Sequence, residues 1–233
     1  SDQWGNLTSG TELVRKVEGE HVHAMGTPLI TNADGTKFGK SEGNAIWLNP
    51  EMCSPYAFYQ FWINTADADV LERLKVFTFL TRDEIEDYAQ KVAEEPFRRE
   101  AQRRLAWDVT SLVHGEEQTQ RVIDASGALF GKGELQEIDA ATLEAAGAEL
   151  PTAQPQDLDA QMNIVDLLVA TGLEESKSSA RRTVKDGGAY LNNTKVEDPE
   201  QLFSAEDAIH QKYFFVRRGR RNLAFVNLVS NNL

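Results

Sequence analysis

The stretch that most constrains the fold is a segment without apolar periodicity, at residues 145–161. It contains Pro151 and Pro155 together with several alanines and glutamines. Proline removes a backbone donor and interrupts helices and strands, so a segment of this kind is typical of a connection between folded parts. We therefore predict a linker at 148–160, which would let the segment 161–233 move independently.

Before this linker, residues 49–147 show apolar side chains three and four apart, the spacing of amphipathic helices. Ser54-Pro55 predicts one helix start, and Thr81 followed by Glu84 resembles a capping box at another. The first of these helices carries five aromatic residues, Tyr56, Phe58, Tyr59, Phe61 and Trp62. Aromatic side chains at helical spacing are usually core, so we favour packing over a surface that stacks on nucleobases.

Four arginines follow Pro96, where we expect a long helix to run through residues 97–114. On a continuous helix they would form one broad basic face, and they are Arg98, Arg99, Arg103 and Arg104. Two interpretations stay open from the residues alone. The face either pairs with the neighbouring glutamates in solvent or contacts RNA.

The segment 161–233 predicts a compact α+β domain. Residues 162–172 are amphipathic and end at a glycine, and Ser176 is suited to cap a second helix. Residues 189–196 then predict two strands joined by an Asn-Asn turn, and residues 213–226 predict a final hairpin.

Cations are concentrated on two elements of this last domain. Lys177, Arg181 and Lys185 recur every fourth residue and so share a helical face, which Arg182 extends. The turn of the final hairpin carries Arg217, Arg218, Arg220 and Arg221. Arginine forks match phosphate oxygens, so two such elements on one small domain predict an RNA-binding surface rather than a merely soluble one.

The net charge of −13 argues at first against a nucleic-acid partner. The charge is unevenly distributed, however, because the acid excess lies in residues 49–160, with 22 acidic and 10 basic residues, whereas residues 161–233 carry 9 and 10. The single cysteine, Cys53, cannot form an intrachain disulfide, and no apolar run is long enough to span a bilayer. These features predict a cytoplasmic protein.

Near the start of the chain, residues 29–41 form a loop with two glycines, hydroxyl side chains and two lysines. Asp34-Gly35 is a turn signal, and Lys37 and Lys40 are spaced to bring two ammonium groups onto one anion, most simply a phosphate. A lysine and serine pattern alone is more often a solvated turn. Before the loop, residues 8–10 predict a polar cap for a helix at 11–17, and residues 23–30 predict a short strand.

Two motifs together identify a resemblance that covers essentially the whole chain. The opening Ser1-Asp2-Gln3-Trp4-Gly5-Asn6 and the loop Lys37-Phe38-Gly39-Lys40-Ser41 resemble the SDQWGN segment and the KFGKS loop of bacterial tyrosyl-tRNA synthetases. In that family KFGKS is the local form of the class I signature KMSKS. The HIGH-type motif and the tyrosine pocket of the family are not in this sequence, and we expect them to lie upstream.

The resemblance implies a multidomain α/β plus α fold. Residues 1–48 would be the C-terminal part of a Rossmann-type catalytic domain, residues 49–147 an α-helical domain beside the tRNA anticodon, and residues 161–233 an RNA-binding domain like that of ribosomal protein S-four. It also implies ATP-dependent activation of L-tyrosine, with Mg²⁺ on the phosphates, and transfer to tRNA(Tyr) by a homodimer.

The resemblance also implies roles for single residues. Lys37, Lys40 and Ser41 would stabilise the departing pyrophosphate, and Asp2 and Gln3 would contact the adenylate ribose and the tyrosyl group. No metal site is predicted, because His21 and His23 have no third ligand nearby. The alternative is a non-catalytic RNA-binding protein derived from such a synthetase.

Overall fold

The computed structural model describes residues 2–27, 29–36, 38, 46–130, 134–153, 161–220 and 222–228. It divides the chain into two compact units, residues 1–45 and residues 46–233. The first unit contains helix α1, Asp2–Glu18. The second unit contains six helices followed by a mixed α/β part.

Helix α1 begins earlier than the residue pattern predicts. The hydroxyl of Thr8 donates to the carbonyls of Trp4 and Gly5 at 3.0 and 3.1 Å, and that of Thr11 donates to the Thr8 carbonyl at 2.9 Å. These hydroxyls therefore donate to backbone carbonyls of the preceding helical turn instead of capping the helix. Threonine side chains inside a helix commonly form such hydrogen bonds. The strand predicted at 23–30 is also wrong, since the described residues of that segment are irregular.

The helical part of the second unit runs from residue 55 to residue 148. Its helices are α2 Pro55–Ile63, α3 Asp67–Phe77, α4 Arg82–Glu94, α5 Glu100–His114, α6 Glu116–Leu129 and α7 Ala140–Ala148. Two predicted starts are confirmed. The Ser54 hydroxyl accepts from the Ala57 amide at 3.1 Å, and Thr81 and Glu84 form a reciprocal capping box.

The aromatic cluster of α2 lies in the core, as the helical spacing predicts. Tyr56, Phe58, Tyr59 and Trp62 are all buried, whereas Phe61 is half-buried. Phe58 packs edge-on against His114 at the end of α5, with 4.9 Å between ring centroids, and burial lowers the pKa of that histidine. The four rings thus join α2 to its neighbours and leave little surface for stacking on a base.

The broad basic face predicted over residues 98–104 is wrong, because the helix does not continue through them. Pro96–Arg98 is a 3₁₀ turn, and Arg99 has a left-handed backbone with φ of 52° before α5 starts. Arg99 turns inward and donates to the Ile63 carbonyl at 2.6 Å. Arg98 pairs with Glu95 at 2.9 Å, and Arg104 pairs with Asp108 at 2.8 Å.

The C-terminal part is built on a five-stranded sheet. Its strands and helices are β1 Thr152–Ala153, β2 Met162–Asn163, α8 Ile164–Ala170, α9 Lys177–Lys185, β3 Ala189–Leu191, β4 Thr194–Lys195, β5 Leu202–Phe203, β6 Tyr213–Arg218 and β7 Asn222–Asn227. The sheet order is β1-β7-β6-β3-β4, with β1 parallel to β7 and the other pairs antiparallel, and β2 pairs with β5 separately. Both predicted hairpins are therefore confirmed.

The Asn192-Asn193 turn joins β3 and β4 as the sequence predicts. Both asparagines have left-handed backbones, with φ of 49° and 66°, as a tight hairpin turn requires. The predicted helix at 162–172 is shorter than expected. Met162 and Asn163 belong to β2, and the Asn163 side chain then caps α8 by accepting from the Asp166 amide at 2.9 Å.

Both faces of the sheet are buried. Successive side chains of a strand point to opposite faces, so each strand contributes to both. On one face, Phe214, Val216 and Val226 join the core formed with α8 and α9. On the other face, the rings of Tyr213, Phe215 and Phe225 pack together with centroids 5.1 to 5.4 Å apart.

Helix α7 lies against this aromatic face. Gly147 is so close to it that an added Cβ would lie 2.5 Å from three atoms of the Phe225 ring. The Tyr213 hydroxyl donates to Glu144 at 2.9 Å, and the His210 ring contacts the Ile138 carbonyl at 2.7 Å. The helical and C-terminal parts therefore share one interface.

The predicted domain boundaries stay predictions, but the structure adds an observation on the linker at 148–160. Thr152 and Ala153 form β1, and the Phe225 amide donates to the Pro151 carbonyl at 2.9 Å. Residues 154–160 lie outside the described residues. The predicted linker therefore begins with the end of α7, and its residues 152–153 form an edge strand of the sheet.

We predict that Gly147→Ala lowers the free energy of unfolding by about 1–3 kcal/mol, since the new methyl group overpacks the interface with Phe225. Chemical denaturation followed by circular dichroism measures this change. Gly10→Ala is the matched control, because a Cβ at this helical glycine meets nothing within 4 Å and alanine favours the helix. Equal effects of the two variants would contradict the close packing at Gly147.

A second prediction concerns Tyr213, which is 2% exposed. Burial and the hydrogen bond to Glu144 raise the pKa of Tyr213 from its ordinary value of 10.0 to about 12. The unfolded chain releases this proton first, so the contribution of Tyr213 to stability is full below pH 10 and is lost as the pH rises to about 12. Between these values the free energy of unfolding should fall more steeply in the parent chain than in Tyr213→Phe. Identical slopes would contradict this role.

Candidate RNA-binding surface

The two lysines of the candidate phosphate loop, with Ser41, lie outside the described residues. The turn that precedes them is described and is well formed. The Gly35 amide donates to the Asn32 carbonyl at 2.8 Å, and the Thr36 amide and hydroxyl donate to Asp34 at 2.9 and 2.6 Å. The bonds from Thr36 lower the pKa of Asp34.

Asp2 and Gln3 lie in the first turn of α1. Gln3 is exposed, and its side-chain carbonyl accepts from the side-chain Nδ2 of Asn6 at 3.5 Å. The Asp2 side chain is not among the described ones. The contacts predicted for these two residues therefore stay predictions.

Helix α9 presents the first group of predicted RNA-binding cations. The Ser176 hydroxyl caps the helix by accepting from the Ser179 amide at 3.2 Å, and Ala180 and Val184 are buried against the core. The opposite side of the helix is exposed and carries Lys177, Arg181, Arg182 and Lys185. The arrangement on one face follows the four-residue spacing read from the sequence.

These four cations differ in their partners. Lys177 pairs with Asp166 at 2.7 Å, and Arg181 pairs with Glu200 at 3.4 Å. Both pairs are open to solvent, although Asp166 is half-buried. Surface pairs are worth about 0–1 kcal/mol, so an RNA phosphate can replace the carboxylate at little cost. Arg182 and Lys185 have no ion-pair partner within the part of the chain that the structure describes.

The hairpin β6–β7 presents the second group, with Gly219 at φ of 61° in its turn. Strand alternation sends neighbouring arginines to opposite faces of the sheet. Arg217 stacks on Tyr190, 3.9 Å from the ring centroid, and donates to the Gly219 carbonyl at 2.9 Å. Arg220 is exposed and lacks an ion-pair partner among the described residues, to which Arg221 does not belong.

Arg218 points to the face that carries α9. Its Nε lies 3.0 Å from Glu174, and its Nη1 donates to the Leu173 carbonyl at 2.7 Å. The Gly219 amide also donates to the Gly188 carbonyl just beyond α9, at 2.7 Å. The structure therefore brings the end of α9 and the hairpin turn side by side, as one surface that combines the two basic elements.

Sequence reasoning missed two residues that contact arginines of the hairpin. Tyr190 stacks on Arg217 on the sheet face opposite α9, and Glu174 pairs with Arg218 on the face that carries α9. Tyr190 is paired with Arg217 in the β3–β6 register, which the residue pattern does not fix. Glu174 is an acidic residue that precedes a basic helix, and one glutamate followed by another looks like an ordinary solvated pair. No local signal separates it from Glu175.

Two family models of known proteins match the chain, one over each of its parts. Residues 1–131 match the family model of tRNA synthetases class I (W and Y), and residues 142–226 match the Tyrosine–tRNA ligase SYY-like C-terminal domain. The chain belongs to the class I tRNA synthetases of the W and Y family. The catalytic-domain portion thus comes first, and a separate C-terminal domain of mixed α/β content follows.

Relatives within the family carry a more specific name. The Tyrosine–tRNA ligase of Leifsonia xyli is 60% identical over 97% of this chain and 50% of its own length, and that of Streptomyces avermitilis is 53% identical over 98% and 54%. A crystal structure of a C-terminally truncated Coccidioides posadasii mitochondrial tyrosyl-tRNA synthetase is 29% identical, with a TM-score of 0.43 over 52% of this chain and 36% of that one. The chain spans about half the length of the curated relatives it matches.

Two further findings concern the described residues only. No helix among them is long and apolar enough to cross a membrane. None of their His, Cys, Asp and Glu side chains form a group of three or more that could hold a metal ion.

Proposed function

We propose that this chain supplies the C-terminal part of a tyrosine–tRNA ligase, which activates L-tyrosine with ATP and transfers it to tRNA(Tyr). The observation that carries the proposal is the double match, a class I catalytic family over residues 1–131 and a tyrosine–tRNA ligase C-terminal domain over residues 142–226. The 50–60% identity to ligases of that name supports the same substrate.

In this proposal the reaction has two steps. The tyrosine carboxylate attacks the α-phosphate of ATP, so that a bond to phosphorus forms and pyrophosphate leaves. The tyrosyl group of the adenylate then passes to the tRNA terminus, and AMP leaves. Lys37, Lys40 and Ser41 stabilise the negative charge that grows on pyrophosphate, and an interaction that strengthens in the transition state is catalytic. Mg²⁺ accompanies the ATP phosphates, and Asp2 and Gln3 contact the ribose and the tyrosyl group.

The C-terminal surface supplies the contacts with tRNA. Arg182, Lys185 and Arg220 are exposed and have no ion-pair partner among the described residues, so they can meet phosphates without first losing a carboxylate. Phosphate contacts of this kind provide affinity and position, and they carry no base specificity. The predicted set also includes Lys177, Arg181, Arg217, Arg218 and Arg221.

The finer architecture belongs to the same proposal. The first unit is the end of a Rossmann-type catalytic domain, the helical part lies beside the anticodon, and the C-terminal part is an S-four-like RNA-binding domain. The order of two helices, the β3–β4 hairpin, the short strand β5 and the β6–β7 hairpin over residues 164–227 supports the last assignment. The full-length protein acts as a homodimer in the cytoplasm.

We predict that the triple variant Arg182→Gln, Lys185→Gln and Arg220→Gln weakens binding of a tRNA(Tyr) transcript. The slope of log K against log salt concentration should also become less negative by roughly 2–3, because three fewer phosphates are neutralised and release counterions. Fluorescence anisotropy at several salt concentrations measures both quantities.

The matched control removes three charges from the helical part, by Arg82→Gln, Arg98→Gln and Arg121→Gln. Each of these arginines is exposed and paired with a glutamate. The control should change the salt slope less than the triple variant does, because each of its arginines already has a carboxylate partner. If both triple variants changed affinity and slope equally, the binding would reflect overall charge and not this surface.

In the full-length protein, we predict that Lys40→Ala abolishes most of the tyrosine-dependent exchange of pyrophosphate into ATP while tyrosine binding stays nearly intact. The reason is that Lys40 acts on the pyrophosphate and not on the amino acid. Exchange assays and equilibrium dialysis with labelled tyrosine measure the two effects. Unchanged exchange would refute the role of the loop, and absent exchange in the parent would favour the non-catalytic RNA-binding alternative.

A further inference from the structure

A buried carboxylate lies between the two basic elements of the candidate RNA-binding surface. Glu174 is 7% exposed, although its neighbour Glu175 is exposed. Burial of a charge is costly unless the charge is paired and hydrogen-bonded. The surroundings of Glu174 must therefore compensate for its lost hydration.

Side chains from two elements provide that compensation. One carboxylate oxygen of Glu174 lies 3.0 Å from Arg218 Nε on β6 and also accepts a hydrogen bond from the Thr183 hydroxyl on α9. Burial by itself opposes ionisation, but the hydroxyls of Thr183 and Ser179 and the charge of Arg218 hold the pKa of Glu174 below its ordinary value.

The backbone around Glu174 is fixed as well. Its own amide donates to the Leu168 carbonyl at the end of α8, at 3.0 Å. Arg218 donates a second bond to the Leu173 carbonyl. Glu174 is thus tied to α8 through its backbone, and to α9 and β6 through its side chain.

We infer that Glu174 is a positioning residue for RNA binding, which holds the basic face of α9 and the basic hairpin turn at a fixed separation. This inference rests on the proposed RNA-binding function of the surface. Arg218 is then occupied by Glu174, and the phosphate contacts fall to the cations on either side of this bridge, Arg182 and Lys185 on α9 and Arg220 in the turn. The partner is a ribose-phosphate backbone long enough to reach both elements.

The direction in which one substitution changes RNA affinity distinguishes this positioning role from a purely electrostatic effect. A carboxylate inside a phosphate-binding surface repels RNA, so neutralising it should tighten binding if charge alone mattered. If Glu174 instead sets the geometry, Glu174→Gln loses the charge-assisted bond to Arg218, and binding weakens. The two explanations therefore predict opposite changes.

The experiment measures binding of a tRNA(Tyr) transcript to the whole 233-residue chain over a range of salt concentrations, after thermal melting has shown that each variant folds. Glu174→Gln should weaken binding about tenfold and leave the salt slope unchanged, because every phosphate-contacting cation remains. Glu175→Gln is the matched control with the same change of charge, and it should leave binding unchanged or slightly tighter.

Thr183→Val provides a second variant if Glu174→Gln does not fold. It removes the hydroxyl donor without any change of charge, and it should also weaken binding at an unchanged slope. Tighter binding by Glu174→Gln, or wild-type binding by a folded Thr183→Val, would overturn the inference.

Failure of the proposed function has a different signature. In that case the triple variant of Arg182, Lys185 and Arg220 would bind RNA like the parent chain. The effect of Glu174→Gln on binding would then not report on the geometry of this surface. Weakened binding in the triple variant together with tighter binding in Glu174→Gln would retain the RNA-binding surface and reject only the positioning role.

Discussion

The packing of α7 against the aromatic face of the C-terminal sheet is the interaction on which the rest of the second unit depends. Tyr213, Phe215 and Phe225 are each at most 4% exposed, and the absent side chain of Gly147 lets the helix approach the Phe225 ring. Full burial of one such side chain is worth about 1.5–3 kcal/mol. A C-terminal part that swung free would return these rings to water.

This constraint has a consequence for the basic surface. One face of the sheet is covered by α7 and the other by α8 and α9, and the cations of the candidate surface lie on the outer side of α9 and in the hairpin turn. The outer side of α9 and the hairpin turn are adjacent, because the Gly219 amide donates a hydrogen bond to the Gly188 carbonyl just after α9. The acidic helical part and the basic surface therefore belong to one compact unit, and in the proposed function a bound RNA would meet both in a single orientation.

Local sequence predicted much of this fold, because local hydrogen bonds decide caps and turns. The Ser176 cap, the box of Thr81 and Glu84, and the Asn192-Asn193 turn each need only residues three or fewer positions apart. Helical spacing likewise placed the cations of α9 on one exposed face. The same reasoning failed at Arg99, whose left-handed backbone is stabilised by its distant bond to the Ile63 carbonyl.

The contacts that organise the candidate site could not be predicted in this way. Glu174 forms an ion pair with Arg218, and Gly147 packs against Phe225. The partners of each contact are far apart in sequence, so only the folded structure reveals these contacts. The lysine loop is the reverse case. Its residues were identified by motif, and Lys37, Lys40 and Ser41 lie outside the described residues, so their roles remain predictions.

Hydrogen–deuterium exchange with and without a tRNA(Tyr) transcript tests whether RNA binds across α9 and the hairpin turn, because it maps the bound surface on the unmodified chain. We expect RNA to slow exchange in α9, in residues 186–188 and around the β6–β7 turn, with little change along α2 and α3. Protection confined to the helical part, or none in α9 and the hairpin turn, would contradict this expectation.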